Sequence, residues 1–102
     1  MEAYVDDVGG EIVIDCYYLA AGDVKTALDI SLVVIRQLEV TRADGSTDTW
    51  PCDLVGTTQM SYVIQSGDLP IAEIITLRPF VQWSDGSRYH GSPIELEVRD
   101  YD

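Results

Sequence analysis

Two strand-like runs in this chain end in the same dipeptide. Asp44-Gly45 follows residues 35–42, and Asp85-Gly86 follows residues 74–83, after which residues 87–98 run on. Asp-Gly between apolar, β-branched segments is a strong hairpin signal, because a tight turn needs a residue with positive φ. Two such hairpins in 102 residues constrain the chain to an antiparallel all-β design. The length suits one domain, residues 1–102, since domains commonly hold about 100–150 residues.

Period-two alternation places the remaining strands. In residues 11–18, Ile12, Ile14, Cys16 and Tyr18 alternate with Val13, Asp15 and Tyr17. Residues 20–25 contain Gly22-Asp23 and read as a turn. Residues 26–40 hold apolar positions that suit a helical face, but Ile30, Val33, Val34 and Ile35 are β-branched and favour extended chain. The reading is a short strand at 28–32 and another at 34–41, with at most one helical turn between. After the first hairpin, residues 46–54 return with Trp50, Cys52 and Leu54 inward, opposite Leu38 and Val40. Pro51 cannot donate a ladder hydrogen bond, which makes this an edge or bulged strand. A short strand at 59–65 follows, then a break at Ser66-Gly67-Asp68-Leu69-Pro70.

Residues 71–83 form the longest run, with Ile75, Leu77, Val81 and Trp83 inward and Pro79 at a bulge or bend. Residues 87–98 close the sheet, interrupted at Gly91-Ser92-Pro93. About seven strands with regular turns predict an immunoglobulin-like antiparallel β-sandwich, with a small barrel as the competing architecture. Met1–Asp7 and Arg99–Asp102 read as tails.

Composition narrows the partners. Eighteen carboxylates against six Lys and Arg give a formal charge of −12. Phosphate binding needs clustered cations, so nucleic acid is excluded as a partner, as is an anionic membrane surface. The acidic surface keeps the free chain soluble, or complements a basic patch on a protein partner. No run reaches 18 apolar residues, and the acidic N-terminus lacks the pattern of a signal peptide. The expected site of synthesis is the cytoplasm. There Cys16 and Cys52 stay reduced, and both are expected to be buried.

Catalytic signatures are missing: no G-x-S-x-G, no P-loop, no H-E-x-x-H, no C-x-x-C. His90, the single histidine, reads as a solvated residue without a paired acid or nucleophile. No cofactor is called for. Two thiols and one histidine do not make a metal site. Asp6, Asp7, Asp100 and Asp102 at the two ends are the only carboxylates worth weighing for calcium, and they lack an EF-hand pattern. The aromatics are more informative. Tyr17 and Tyr18 are adjacent, so a strand sends them to opposite faces and one is left for solvent or a partner. Trp83 and Tyr89 flank the second Asp-Gly turn. Tyr17, Tyr18, Trp83 and Tyr89 are therefore the candidate interface residues. Cross-strand packing within the fold is the plainer reading of the same residues. A carbohydrate platform of Trp83, Tyr89 and His90 is the alternative from another class.

The order of short motifs completes the reading. It runs Asp29-Ile30-Ser31, Arg42-Ala43-Asp44-Gly45, Thr49-Trp50, Tyr62 with Gly67-Asp68-Leu69-Pro70, Ser84-Asp85-Gly86, then Ile94-Glu95-Leu96-Glu97-Val98. Across about residues 8–99 this resembles the small immunoglobulin-like domains of tailed-bacteriophage virions. The likeness is to the amino-terminal domain of baseplate upper proteins and tail-fibre attachment modules. Ala43 stands where that family usually has proline, and Glu73 where it commonly has glycine. The resemblance implies a non-enzymatic virion structural protein made in the host cytoplasm. It implies a tail, baseplate or fibre-attachment component that binds other virion proteins as a symmetric homo-oligomer. A capsid decoration or cement protein is the alternative placement.

Overall fold

Alternation builds the sheets. In β2 (Glu11–Asp15) Ile12 and Ile14 are buried while Glu11, Val13 and Asp15 face out. In β9 (Glu73–Gln82) Ile75, Leu77 and Val81 are fully buried, and in β11 (Ile94–Arg99) Leu96 and Val98 are buried. The computed structural model, which describes residues 1–100, has eleven strands and no helix among them. The others are β1 (Glu2–Tyr4), β3 (Tyr17–Ala20), β4 (Val24–Ala27), β5 (Ile35–Thr41), β6 (Thr47–Pro51), β7 (Asp53–Val55), β8 (Gln59–Val63) and β10 (Arg88–His90).

A six-stranded sheet runs β1-β11-β9-β5-β6, with β10 also on β9. A three-stranded sheet, β2-β8-β7, faces it. Leu38, Val40, Trp50, Ile75, Leu77, Val81 and Leu96 from the first meet Ile12, Ile14 and Met60 from the second in one core. Trp50 and Tyr62 stack between the layers, centroids 4.7 Å apart and 13° from parallel. The result is an immunoglobulin-like β-sandwich, with β3 and β4 forming a separate two-stranded ribbon.

Both Asp-Gly turns form hairpins, with one difference from the sequence reading. Arg42 donates to the Ser46 carbonyl at 2.8 Å and Gly45 to the Arg42 carbonyl at 3.0 Å. Trp83, Ser87 and Gly86 repeat the pattern at 2.9 and 3.0 Å. Each loop is therefore three residues long, and glycine takes the left-handed third place, with φ 88° at Gly45 and 90° at Gly86. Asp44 Oδ1 accepts from the Ser46 hydroxyl and N–H, and Asp85 Oδ1 from the Ser87 N–H. Hydrogen bonds from these serines, the side chain's first, hold both carboxyls below their ordinary range.

Where the expected strands differ, the chain changes layer or makes local bonds. The 11–18 run breaks at Cys16, whose N–H donates to Thr58 at 2.9 Å, so β3 leaves the sheet that β2 belongs to. The 46–54 run breaks at Cys52, where the chain crosses from the large sheet to the small one. Trp50 opposes Leu38 as expected, and β6 is an edge strand, but Cys52 and Leu54 are only partly buried. No strand forms at 28–32. There Asp29 Oδ1 takes hydrogen bonds from the Ser31 N–H (2.8 Å) and hydroxyl (2.6 Å), a local turn that competes with a ladder. Ile30 from this segment still plugs the core. Three broken runs, the lost 28–32 strand and the unforeseen β1 and β4 turn seven expected strands into eleven.

The N-terminal tail of the sequence reading is also overturned. β1 pairs with β11 in parallel, Ala3 opposite Val98, which makes one ladder of this otherwise antiparallel fold parallel. Arg99 lies in β11 and is no tail, while Tyr101 and Asp102 fall outside the described residues. Pro79 sits in regular pairing with Leu38, and the bulge is in the opposite strand. Phe80 opposes His90 and Leu77 opposes Ile94, so two residues of β9 face the three of Gly91-Ser92-Pro93. The Pro79 carbonyl accepts from Gly91 at 2.9 Å. A strand residue points its N–H and C=O to the same side, so the missing donor of Pro79 falls at this interruption. A Cβ on Gly91 would lie 3.0 Å from Pro79 Cγ, which explains the glycine there.

Candidate functional site

Three of the four candidate aromatics gather where the ribbon β3–β4 leaves the sandwich. Tyr89 lies on β10 opposite Val81, turned toward the core. Its hydroxyl donates to the Tyr17 carbonyl and lies 3.3 Å from the Tyr17 N–H. Burial pushes the Tyr89 phenol above its ordinary range, and the bond to Tyr17 opposes that shift. The second Asp-Gly hairpin is thus tied to the base of the ribbon by one side chain. Tyr17 is half-buried, and Lys25 Nζ stands 4.1 Å from its ring centroid. Trp83 packs partly against the core. Tyr18 is the exposed member of the tyrosine pair.

His90 follows Tyr89 on the same strand and so faces the opposite side, where it meets Phe80 and, at 3.2 Å, Glu39. Trp83, Tyr89 and His90 therefore do not form one flat platform. A surface groove of about 490 Å³ lies along β5 and β6 and is lined by Glu39, Thr41, Asp48, Thr76, Arg78 and Pro93 among others. No His, Cys or Ser lines it. Among the described residues no group of three or more His, Cys, Asp or Glu could hold a metal ion. No helix among them is long and apolar enough to cross a membrane.

The sequence reading missed the ribbon itself. The register sets Tyr18 opposite Thr26 and Ala20 opposite Val24 on one face, and Tyr17 opposite Ala27 and Leu19 opposite Lys25 on the other. Leu19 is 61% exposed and Val24 58%, so each face carries an uncovered aliphatic side chain. Gly22 (φ 77°) and Asp23 (φ 60°) make the tip left-handed. The signal was present: Tyr17-Tyr18-Leu19 before Gly22-Asp23, and the β-branched Val24 and Thr26 after it, are strand formers on either side of a turn dipeptide.

Both thiols are free. Cys16 is buried and Cys52 half-buried; burial raises each to about 11, with neighbouring acids adding to the rise. Elsewhere Asp68 Oδ2 accepts from the Tyr62 hydroxyl at 2.5 Å and the Gln65 N–H at 2.8 Å, closing the Gly67 turn onto the core. Ala43 and Glu73, which the sequence reading singled out, touch one another. Glu73 Oε1 accepts from the Ala43 N–H at 3.0 Å and its Oε2 lies 3.4 Å from Arg42, both side chains of this ion pair being largely buried. A proline at 43 would have no N–H to offer.

No family model matches this chain, and no curated protein does. Among solved structures it is similar to one titled "The crystal structure of CopC from Methylosinus trichosporium OB3b". The TM-score is 0.60 at 9% identity, over 99% of this chain and 86% of that one. A likeness at that identity shows a shared β-sandwich fold.

Proposed function

We propose that this chain is a non-enzymatic virion structural subunit that works by protein–protein assembly. The ribbon β3–β4 carries the reading. A two-stranded ribbon alone is marginal in water, and among the described residues this one pairs only with itself and leaves apolar side chains uncovered on both faces. Such an element gains its stability when neighbours cover it. Tyr89 and Tyr17 hold its base in place, so the ribbon is presented from a fixed point on the sandwich. The phage placement rests on the motif order from Asp29 to Val98, and the tail or baseplate is the favoured location.

Cross-linking and mass spectrometry of purified particles test this. The expected result is cross-links from Lys25 to another virion protein or another copy. A few to a few dozen copies per particle place the chain in the tail, and hundreds place it on the capsid. Its absence from purified particles would refute the virion role. Turnover of a substrate by the purified chain would refute the class.

A further inference from the structure

The two Asp-Gly dipeptides are reactive as well as turn-forming. A glycine nitrogen, with no side chain beside it, can attack the carboxyl of the aspartate before it. The bond from the Gly nitrogen to the Asp Cγ forms, and the carboxyl hydroxyl leaves with the amide proton as water, closing a succinimide ring. Solvent water then reopens the ring. Addition at Cγ restores aspartate. Addition at the other carbonyl routes the backbone through the side chain and leaves an isoaspartyl residue. The net change is an isomerisation that needs neither oxidant nor cofactor.

Both folded loops obstruct the first step alike. The Gly45 N–H donates back to Arg42 and the Gly86 N–H back to Trp83, each at 3.0 Å. Asp44 Oδ1 and Asp85 Oδ1 are drawn forward, to the N–H of Ser46 at 2.8 Å and of Ser87 at 2.9 Å. Nitrogen and carboxyl are each held by another partner, so attack waits for the loop to open locally. What opposes opening differs between the loops. The first is pinned from β9: Glu73 Oε1 accepts from the Ala43 N–H at 3.0 Å, and its Oε2 lies 3.4 Å from Arg42, which also reaches Asp48 at 3.2 Å. The second has no such pin. Among the described residues no hydrogen bond or ion pair reaches Ser84, Asp85 or Gly86 from outside residues 83–87. Serine hydrogen bonds lower both carboxyls, and Arg42 adds to this at Asp44 alone, which leaves less of the protonated acid that loses its hydroxyl.

We infer that Asp85-Gly86 is the site at which the folded chain isomerises, and that Glu73 guards Asp44-Gly45 against the same reaction. The product lengthens the loop by one backbone methylene, in the hairpin whose β10 strand carries Tyr89 and its bond to the Tyr17 carbonyl.

Incubation of the full chain for weeks at neutral pH and body temperature tests this. Peptide mapping by mass spectrometry, with electron-transfer fragmentation, tells isoaspartyl from aspartyl at each site. Isoaspartate is expected to accumulate at Asp85 about tenfold faster than at Asp44, the size of effect that hydrogen bonds to a charged group support. In strong denaturant the two rates should be equal, since Ala-Asp-Gly-Ser and Ser-Asp-Gly-Ser are nearly the same locally. Glu73→Ala should raise the rate at Asp44 to that at Asp85 and leave Asp85 unchanged. Glu73→Gln keeps an oxygen for Ala43 but loses the charge facing Arg42; it should raise the rate less, and it carries the test if the alanine variant unfolds. The isomerised chain should show faster amide exchange in β10 than the fresh one. Equal rates in the folded wild type, faster reaction at Asp44, or an Asp85 that stays intact would each overturn the inference. An Asp44 that stays slow in both Glu73 variants would remove Glu73 as its guard.

Discussion

The hairpin β9–β10 and the ribbon β3–β4 are built by the same local means and end differently. Each turns on a left-handed glycine, Gly86 in one and Gly22 in the other. The first belongs to a six-stranded sheet whose inner face is sealed by Ile12, Ile14 and Met60. Among the described residues the second pairs only with itself, and Leu19 and Val24 remain in solvent. Turn chemistry makes a hairpin, but cover over its apolar face is what makes it stable alone. The contrast separates a region that holds the fold from one available for contact.

The sharpest way to break this contrast is to damage the sandwich. Trp50→Ala removes a side chain only 4% exposed that stacks on Tyr62. It should destabilise the isolated chain by about 3–5 kcal/mol, read by denaturant unfolding. An unchanged midpoint would place the stabilising packing elsewhere. Glu73→Ala should cost about 1–3 kcal/mol, since it leaves the Ala43 N–H and one side of Arg42 without an acceptor. Asp48, 3.2 Å from Arg42, limits the loss. Gly86→Ala should cost about 1–2 kcal/mol through its φ of 90°.

The thiols sharpen the comparison by pH. Burial makes the folded state favour protonated Cys16 and Cys52, at about 11 against an ordinary 9.0. That contribution is complete below pH 9.0 and is lost as pH rises toward 11. Chemical denaturation between these values should show falling stability, and replacing both thiols with Ala should flatten that fall. At neutral pH both should react slowly with an alkylating reagent in the folded chain, Cys16 the slower because it is the more buried.

The smallest effect belongs to the ribbon. Leu19→Ser with Val24→Ser should change the stability of the isolated subunit by no more than about 0.5 kcal/mol. Amide exchange should be faster in β3 and β4 than in β9 or β11. A large loss of stability, or slow exchange in the ribbon, would make it part of the folding core and erase the distinction drawn here.

The sandwich was legible because its strands alternate cleanly. Glu95, Glu97 and Arg99 against Leu96 and Val98 can face only one way. The core positions Leu38, Trp50, Ile75, Leu77 and Val81 follow from the same two-residue period. At the candidate site the four aromatics could be picked out as residues, but their roles could not. Tyr89 and Tyr18 look alike in sequence, yet one hydroxyl is held by Tyr17 and the other side chain stands in solvent. Val24 falls inside the turn read at residues 20–25 and Leu19 just before it, and neither stands out in the sequence because its exposure depends on what the ribbon lacks above and below it.

Local chemistry by itself determined the all-β class, both Asp-Gly hairpins, the core face of each long strand and the edge position of the Pro51 strand. These depend on φ preference, side-chain period and a missing N–H, all of which act within a few residues. Only the tertiary structure decided that the chain changes partners at Cys16 and Cys52, that β1 lies parallel to β11, and that Glu73 reaches the first hairpin. It alone left β3–β4 uncovered. Those outcomes are set by which surfaces meet in the folded chain, through burial and hydrogen bonds between separate elements that no neighbouring residue encodes.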